Sequence, residues 1–322
     1  MDTVSHTVQV PLCFGISGAL SDNTEYSARF SDGFTVSMGI QPGIVGAKQY
    51  TILPGNIRTD TQVFYSIPKD LPDCNSIGVS AAMRTADYVL TTKIQLPPVK
   101  RIAKRKTIGQ RVYNIMRIYD VGYPIRHQLY TMALGGIRAF SWKHESHQRY
   151  ISTHTPKSQW KTLRWFTKYL SFYYLGRSRS TNSYINVSSN QNLFRQSAEM
   201  AREVYSYMEE EKITWVANTL KREMQMMYEF QNDLVSPEVI AINDAVDPYK
   251  VYGAFQSGIG DGGFIGIIHH PDYTDHVRTL MRQSIPSSLP FYFSPMLDGV
   301  IEQYVQGNQK QKILEQTDRT GS

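Results

Sequence analysis

The chain has 322 residues, 41% of them hydrophobic and 19% charged, a balance that excludes a disordered polypeptide and leaves room for one large core or two ordinary ones. Cys13 and Cys74 are the only cysteines, too few for a disulfide framework or a thiolate metal site, and they fit a reducing compartment. The net charge of +6 is unevenly spread: residues 98–181 hold 17 Lys and Arg against Asp120 and Glu145, between mildly acidic flanks.

From Val4 to about Leu96 the pattern predicts β-structure. Val4, Val8 and Val10 alternate, and Phe34, Val36, Met38 and Ile40 resume the period after Ser31-Asp32-Gly33, which reads as a hairpin turn. Short runs at Tyr50 to Leu53, Val63 to Ile67 and Tyr88 to Leu96 follow, separated by Pro42-Gly43, Pro54-Gly55 and Pro68. Such spacing predicts an antiparallel, sandwich or barrel-like part over residues 1–97.

A basic, aromatic-rich helical part is expected over 98–181. Ile108, Val112, Ile115, Met116 and Tyr119 share one helical face, and a second helix from Pro124 to Ala133 stops at Gly135-Gly136. A third is expected from Thr155-Pro156 to just before Gly176, with Lys157, Lys161, Arg164 and Lys168 along one side.

Residues 182–322 predict helices and a small mixed α/β part. Two apolar stripes, Leu193 to Met208 and Ile213 to Leu234, flank the acidic run Glu209-Glu210-Glu211 and imply two helices or one bent helix. Val239 to Ile242 and Phe264 to Ile268 read as buried strands, and Thr274 to Gln283 and Pro295 to Val305 as short helices. The fold class is therefore α+β. The run Gly258-Ile259-Gly260-Asp261-Gly262-Gly263 superficially resembles a phosphate cradle, but a strand follows it where a dinucleotide fingerprint needs a helix, so it reads as a mobile hairpin tip.

Phosphate backbones demand several cations on one face, and unpaired bases stack on aromatic rings. Lys100, Arg101, Lys104, Arg105, Lys106, Lys157, Lys161, Arg164, Trp165, Lys168, Arg177 and Arg179 supply both and are the candidate nucleic-acid-binding residues. The reading they favour is a non-enzymatic structural subunit of a nucleoprotein assembly, of viral capsid or nucleocapsid type. Its partners would be copies of itself or other assembly subunits, and nucleic acid bound non-specifically; no catalytic residue, metal or cofactor is expected. Two alternatives stand beside it: a metal-dependent hydrolase or nuclease using His269, His270, Asp272, Asp275 and His276, and a module whose basic face binds an acidic protein. The N-terminus shows no secretory signal and no run reaches the length of a membrane span, so the chain is expected to be intracellular, soluble or in a particle.

Overall fold

The computed structural model describes residues 2–22, 26, 30, 32–53, 57–66, 77–92, 102–118, 126–145, 148–178 and 189–306. Its larger sheet is antiparallel throughout, with strands β1 (Asp2–Ser17), β2 (Phe34–Leu53), β3 (Ile57–Ser66), β4 (Ile137–Glu145) and β5 (Gln148–His154). The order is β11-β1-β2-β4-β5, where β11 is Ile301–Gln306; β3 and the two-residue β10 (Ser294–Pro295) pair with β2 off this path. This sheet is open, not a closed barrel. Its long strands pass through their proline and glycine signals. The β1–β2 register shifts between Val10 and Leu12, where Pro11 lacks an N–H to donate, so the strand bulges and continues. A Cβ on Gly43 would stand 2.2 Å from the Val10 carbonyl oxygen, which is why a glycine faces that bulge.

The second sheet is a four-stranded antiparallel layer in the order β7-β8-β6-β9, built from β6 (Leu170–Tyr174), β7 (Val251–Gln256), β8 (Phe264–His269) and β9 (Leu289–Phe291). The two sheets share one apolar core. Phe14 of β1 stacks on Phe172 of β6 at 3.8 Å between ring centroids and meets Phe255 of β7 edge-on at 5.6 Å, so the end of β1 is carried to the second sheet.

Helices α1 (Val79–Thr92) and α3 (Arg126–Leu134) pack on β1 and β2, with α2 (Ile102–Ile118) against α3. All nine residues of α3 are buried, among them the polar Arg126, His127, Gln128 and Thr131. It stops where Gly135 and Gly136 take φ of +70° and +68°, left-handed conformations that favour glycine. Helix α4 (Gln159–Lys168) leads directly into β6. Helices α5 (Gln191–Glu209) and α6 (Ile213–Phe230) form an antiparallel pair that breaks at Glu211, whose φ is +57°. Helix α7 (Pro237–Ala245) packs on β7, and α8 (Thr274–Ser284) follows β8.

Four expectations are corrected. Tyr88 to Thr92 is the last part of helix α1 and not a strand, and residues 93–96 of that expected run lie outside the described residues. Val239 to Ile242 lies in helix α7, started by Pro237 in its first turn. The single helix expected from Thr155-Pro156 to just before Gly176 ends at Lys168, because Leu170 to Tyr174 pairs with Phe264 to Ile268. Pro295 to Val305 is no helix: Pro295 ends the two-residue β10, a bend follows in which Gly299 has φ of +65°, and Ile301 to Val305 forms a ladder on β1. The Met-rich stripes do form two helices, and α3, α8 and β8 stand close to where the pattern puts them. No helix among the described residues is long and apolar enough to cross a membrane.

Candidate functional site

The residues that converge most tightly on one point come from the end of β1, the start of α3 and the glycine turn between β7 and β8. Gly15 donates its N–H to Ser257 Oγ at 3.0 Å. A Cβ on Gly15 would lie 3.5 Å from His127 Nε2, 3.7 Å from Ser257 Oγ and 3.8 Å from the Gly258 nitrogen. The first turn of α3 therefore borders the entry to the glycine turn, with only a glycine between them.

The turn is not a loose hairpin tip. Gly258, Gly260, Gly262 and Gly263 have φ of +88°, +103°, +92° and +79°, so the run of glycines is a conformational requirement. Gly260 N–H donates to the Leu234 carbonyl, Gly262 N–H to Ser236 Oγ and Gly263 N–H to the Arg177 carbonyl. Gln256 Nε2 donates to the carbonyls of Leu234, Gly258 and Gly260. Among the described residues, the N–H groups of Gly258, Ile259 and Asp261 have no acceptor; such donors in a left-handed turn suit an anion.

Arg177 holds the turn's one carboxylate. It makes a two-pronged contact with Glu238, 2.8 Å on each arm, and reaches Asp261 at 2.6 Å. These bonds raise the guanidinium pKa, and Arg177 holds the Glu238 carboxyl below its ordinary range. Burial alone would raise Asp261, but its contact with Arg177 outweighs that and lowers it.

Around the other side of α3, Gly78 precedes α1 with φ of +75°. A Cβ there would meet Met132 Cε at 2.5 Å and Gln128 Oε1 at 3.1 Å, so the start of α1, with the unpaired N–H groups every helix start carries, sits flush against α3. Adjacent residues of α3 thus border both elements: His127 the glycine turn, Gln128 the beginning of α1.

Two buried carboxylates fix this arrangement. Glu223 of α6 accepts from Ser17 Oγ at 2.5 Å, the Gly18 N–H at 2.9 Å and Ser197 Oγ at 2.8 Å, tying the end of β1 to α5 and α6. Burial raises its pKa despite these donors. A cavity of about 10 Å³ beside it, bordered by Gly15, Ser17, Gln256 and Gly258, has room for a single water. Asp22 lies in the 3-10 turn Leu20–Asp22 after β1. Its Oδ2 accepts from the His127 backbone N–H at 3.0 Å and contacts His127 Nδ1 at 2.8 Å.

The candidate nucleic-acid residues do not form one face. Arg105 is buried and donates to the carbonyls of Ala133, Asp298 and Val300; burial lowers its pKa. Lys106 donates to the Ile151 carbonyl and is likewise lowered by burial. Two further cations of the basic segment, Arg126 and Arg138, are also buried. Arg138 bonds the Gly135 and Leu134 carbonyls and Thr155, and burial pushes it down to about 10. Arg177 is committed to the glycine turn. Lys157, Lys161, Arg164 and Lys168 are exposed on or just before α4, as their spacing predicts, and Lys161 pairs with Glu211 at 2.7 Å. Trp165 packs against Phe166 and Tyr169. Lys104 lies in α2; Lys100, Arg101 and Arg179 fall outside the described residues.

The His/Asp cluster does not close on one point either: His270 Nδ1 meets Asp272 at 3.5 Å, and the others are held apart from that pair. His269 is buried at the end of β8, with Nε2 at 2.8 Å from Ser171 Oγ and Nδ1 at 2.8 Å from the His270 carbonyl; burial lowers its pKa. Asp272, Asp275 and His276 are exposed on the following turn and helix, and Asp275 pairs with Arg278. Among the described residues no group of three such side chains could hold a metal ion.

No protein-family model and no curated protein matches this sequence. Solved structures do share its fold. A D-glycero-D-manno-heptose 1-phosphate kinase from Bacteroides thetaiotaomicron superposes with a TM-score of 0.67 at 11% identity, covering 92% of this chain and 98% of the other. Lactococcus lactis galactokinase gives 0.60 at 11% identity, covering 93% and 95%. The mevalonate kinase of L. major gives 0.61 at 12% identity, covering 91% and 94%. The chain has the GHMP kinase-like fold, with antiparallel sheets and helices. This likeness overturns both the expected capsid or nucleocapsid-type subunit and the metal-dependent hydrolase: the fold is shared with enzymes acting on small molecules, over nearly the whole of each chain.

Proposed function

We propose that this chain is a small-molecule kinase, transferring the terminal phosphoryl group of a nucleoside triphosphate to a small polar metabolite. The observation that carries the reading is the convergence of the ordered glycine turn and the glycine-led start of α1 on the first turn of α3. It occurs within a fold whose solved relatives include kinases of a heptose phosphate, galactose and mevalonate. Phosphoryl transfer leaves a protein little covalent chemistry to perform; it requires positioning and neutralisation of phosphate charge. Backbone N–H groups in a left-handed glycine turn and at a helix start supply that. The metal would enter with the nucleotide, since magnesium in such sites is held largely by substrate phosphates with one or two carboxylates.

Isothermal titration with a magnesium nucleoside triphosphate tests this reading. Saturable binding is expected, weakened at least about tenfold by Gly260→Val, equivalent to about 1.4 kcal/mol, because a β-branched residue at φ of +103° must reshape the turn. A wild-type chain that binds no nucleotide would overturn it.

A further inference from the structure

We infer that His127 is the proton acceptor of this site, taking the proton of the metabolite hydroxyl as that oxygen attacks phosphorus; the inference rests on the kinase reading. Three observations carry it.

The first is the orientation of the ring. An ionised carboxylate only accepts hydrogen bonds, so the 2.8 Å contact between Asp22 Oδ2 and His127 Nδ1 places a hydrogen on Nδ1, and in the neutral imidazole Nε2 is then the atom with the lone pair. The same oxygen accepts the His127 backbone N–H, so ring and main chain are fixed together. The second is direction. Nε2 points at the Gly15 backbone, beside Ser257 and Gly258 at the mouth of the glycine turn, where the phosphate donors lie. The third is that the other carboxylates around that point are enclosed or engaged: the Asp22 side chain, whose Oδ1 has no partner among the described residues, is wholly buried behind the ring. Glu223 is committed to three donors, and Asp261 is held by Arg177. The neighbouring Arg126 turns away, donating to Tyr113 Oη and lying over the Tyr113 and Trp142 rings.

In the step itself, the hydroxyl O–H proton passes to His127 Nε2, the new O–P bond forms, and the bond from phosphorus to the bridging oxygen breaks. The nucleoside diphosphate leaves with that electron pair. Asp22 balances the imidazolium so formed and acts as a positioning residue, without touching substrate. Asp22 is the charged group in contact with the ring, and Cys13 and Tyr130 interact electrostatically with Asp22 behind it. Burial pushes Cys13 up to about 12 and raises Tyr130, so both stay neutral.

The test is the pH profile of kcat/KM for phosphoryl transfer by the full chain, comparing wild type with His127→Gln and Asp22→Asn. Thermal melts confirm folding, and titration with nucleotide is run alongside. His127→Gln keeps the backbone N–H that Asp22 accepts and should bind nucleotide as wild type does, lose about 100-fold or more in kcat/KM, and lose the rising limb of the profile. Asp22→Asn, which can present an N–H to Nδ1 and so permit the wrong tautomer, should lose kcat with KM nearly unchanged. A folded His127→Gln chain that keeps the wild-type rate and rising limb overturns the proton-acceptor role while leaving the kinase reading intact. A wild type that binds nucleotide but transfers phosphate to no metabolite overturns both.

Discussion

Replacing Glu223 by Ala is expected to destabilise the chain by about 2–4 kcal/mol, whereas Glu223→Gln should leave it near wild type at neutral pH. The carboxylate is fully buried and accepts three hydrogen bonds from Ser17, Gly18 and Ser197. Each donor stranded in a dry interior costs about 1–3 kcal/mol, offset in Ala by water entering the enlarged cavity and by removal of a buried charge. Gln keeps an acceptor for Gly18 and Ser197, and the Ser17 hydroxyl can rotate to accept from its amide. The two variants also differ from wild type in pH dependence. Burial raises the folded-state pKa of Glu223 above its ordinary value, so between those two values the folded chain binds more protons than the unfolded one. Stability contributed by this group is therefore present at lower pH, falls as pH rises through that window, and is flat above it. Urea titrations across the mildly acidic range should show that slope in wild type and not in Glu223→Gln.

Gly135→Ala is expected to cost about 2–6 kcal/mol. Two effects add: a side chain at φ of +70° costs about 1–3 kcal/mol, and its Cβ would stand 2.2 Å from the Gly299 nitrogen and 2.4 Å from the Leu297 carbonyl oxygen. These are backbone atoms that cannot swing aside, and overpacking of this kind costs about a further 1–3 kcal/mol. Because Gly135 ends α3, the helix that carries His127, the same variant should weaken nucleotide binding more than its loss of stability alone explains. Denaturant midpoints and nucleotide titration on the folded fraction measure the two effects separately.

The sequence is most legible where structure is local. Gly135-Gly136 marks the end of α3, and the two Met-rich stripes are two helices, because stop signals and a 3.6-residue period need no distant partner. It misleads where distant pairing decides. Leu170 to Tyr174 continues an aromatic helical pattern, yet pairing with Phe264 to Ile268 draws it into a sheet. Ile301 to Val305 is recruited by β1 from the far end of the chain. In α1 the first turns bury small residues, Ala81, Ala82, Thr85 and Ala86, while Tyr88, Val89 and Leu90 cluster at its end, where they read as a strand.

The site was hidden for the same reason. Asp22 and His127 lie 105 residues apart and Gly15 and Ser257 lie 242 apart, and a lone histidine carries no spacing signal. The glycine run was visible, but its expected mobility was wrong, since Ser236, Gln256 and Arg177 hold it from other elements. The basic segment misled most: charge counted along a sequence cannot tell an exposed cation such as Lys157 from Arg105 or Arg138, whose guanidinium groups bind carbonyls inside the fold.

The most direct test of the kinase reading is phosphoryl transfer by the purified full chain from a magnesium nucleoside triphosphate to a panel of galactose, heptose phosphates, mevalonate and related hydroxylated metabolites, followed by phosphorus NMR. The account predicts a new phosphate ester resonance and stoichiometric nucleoside diphosphate with at least one acceptor, both abolished by omitting that acceptor. Nucleotide left intact with every acceptor in the panel would contradict it.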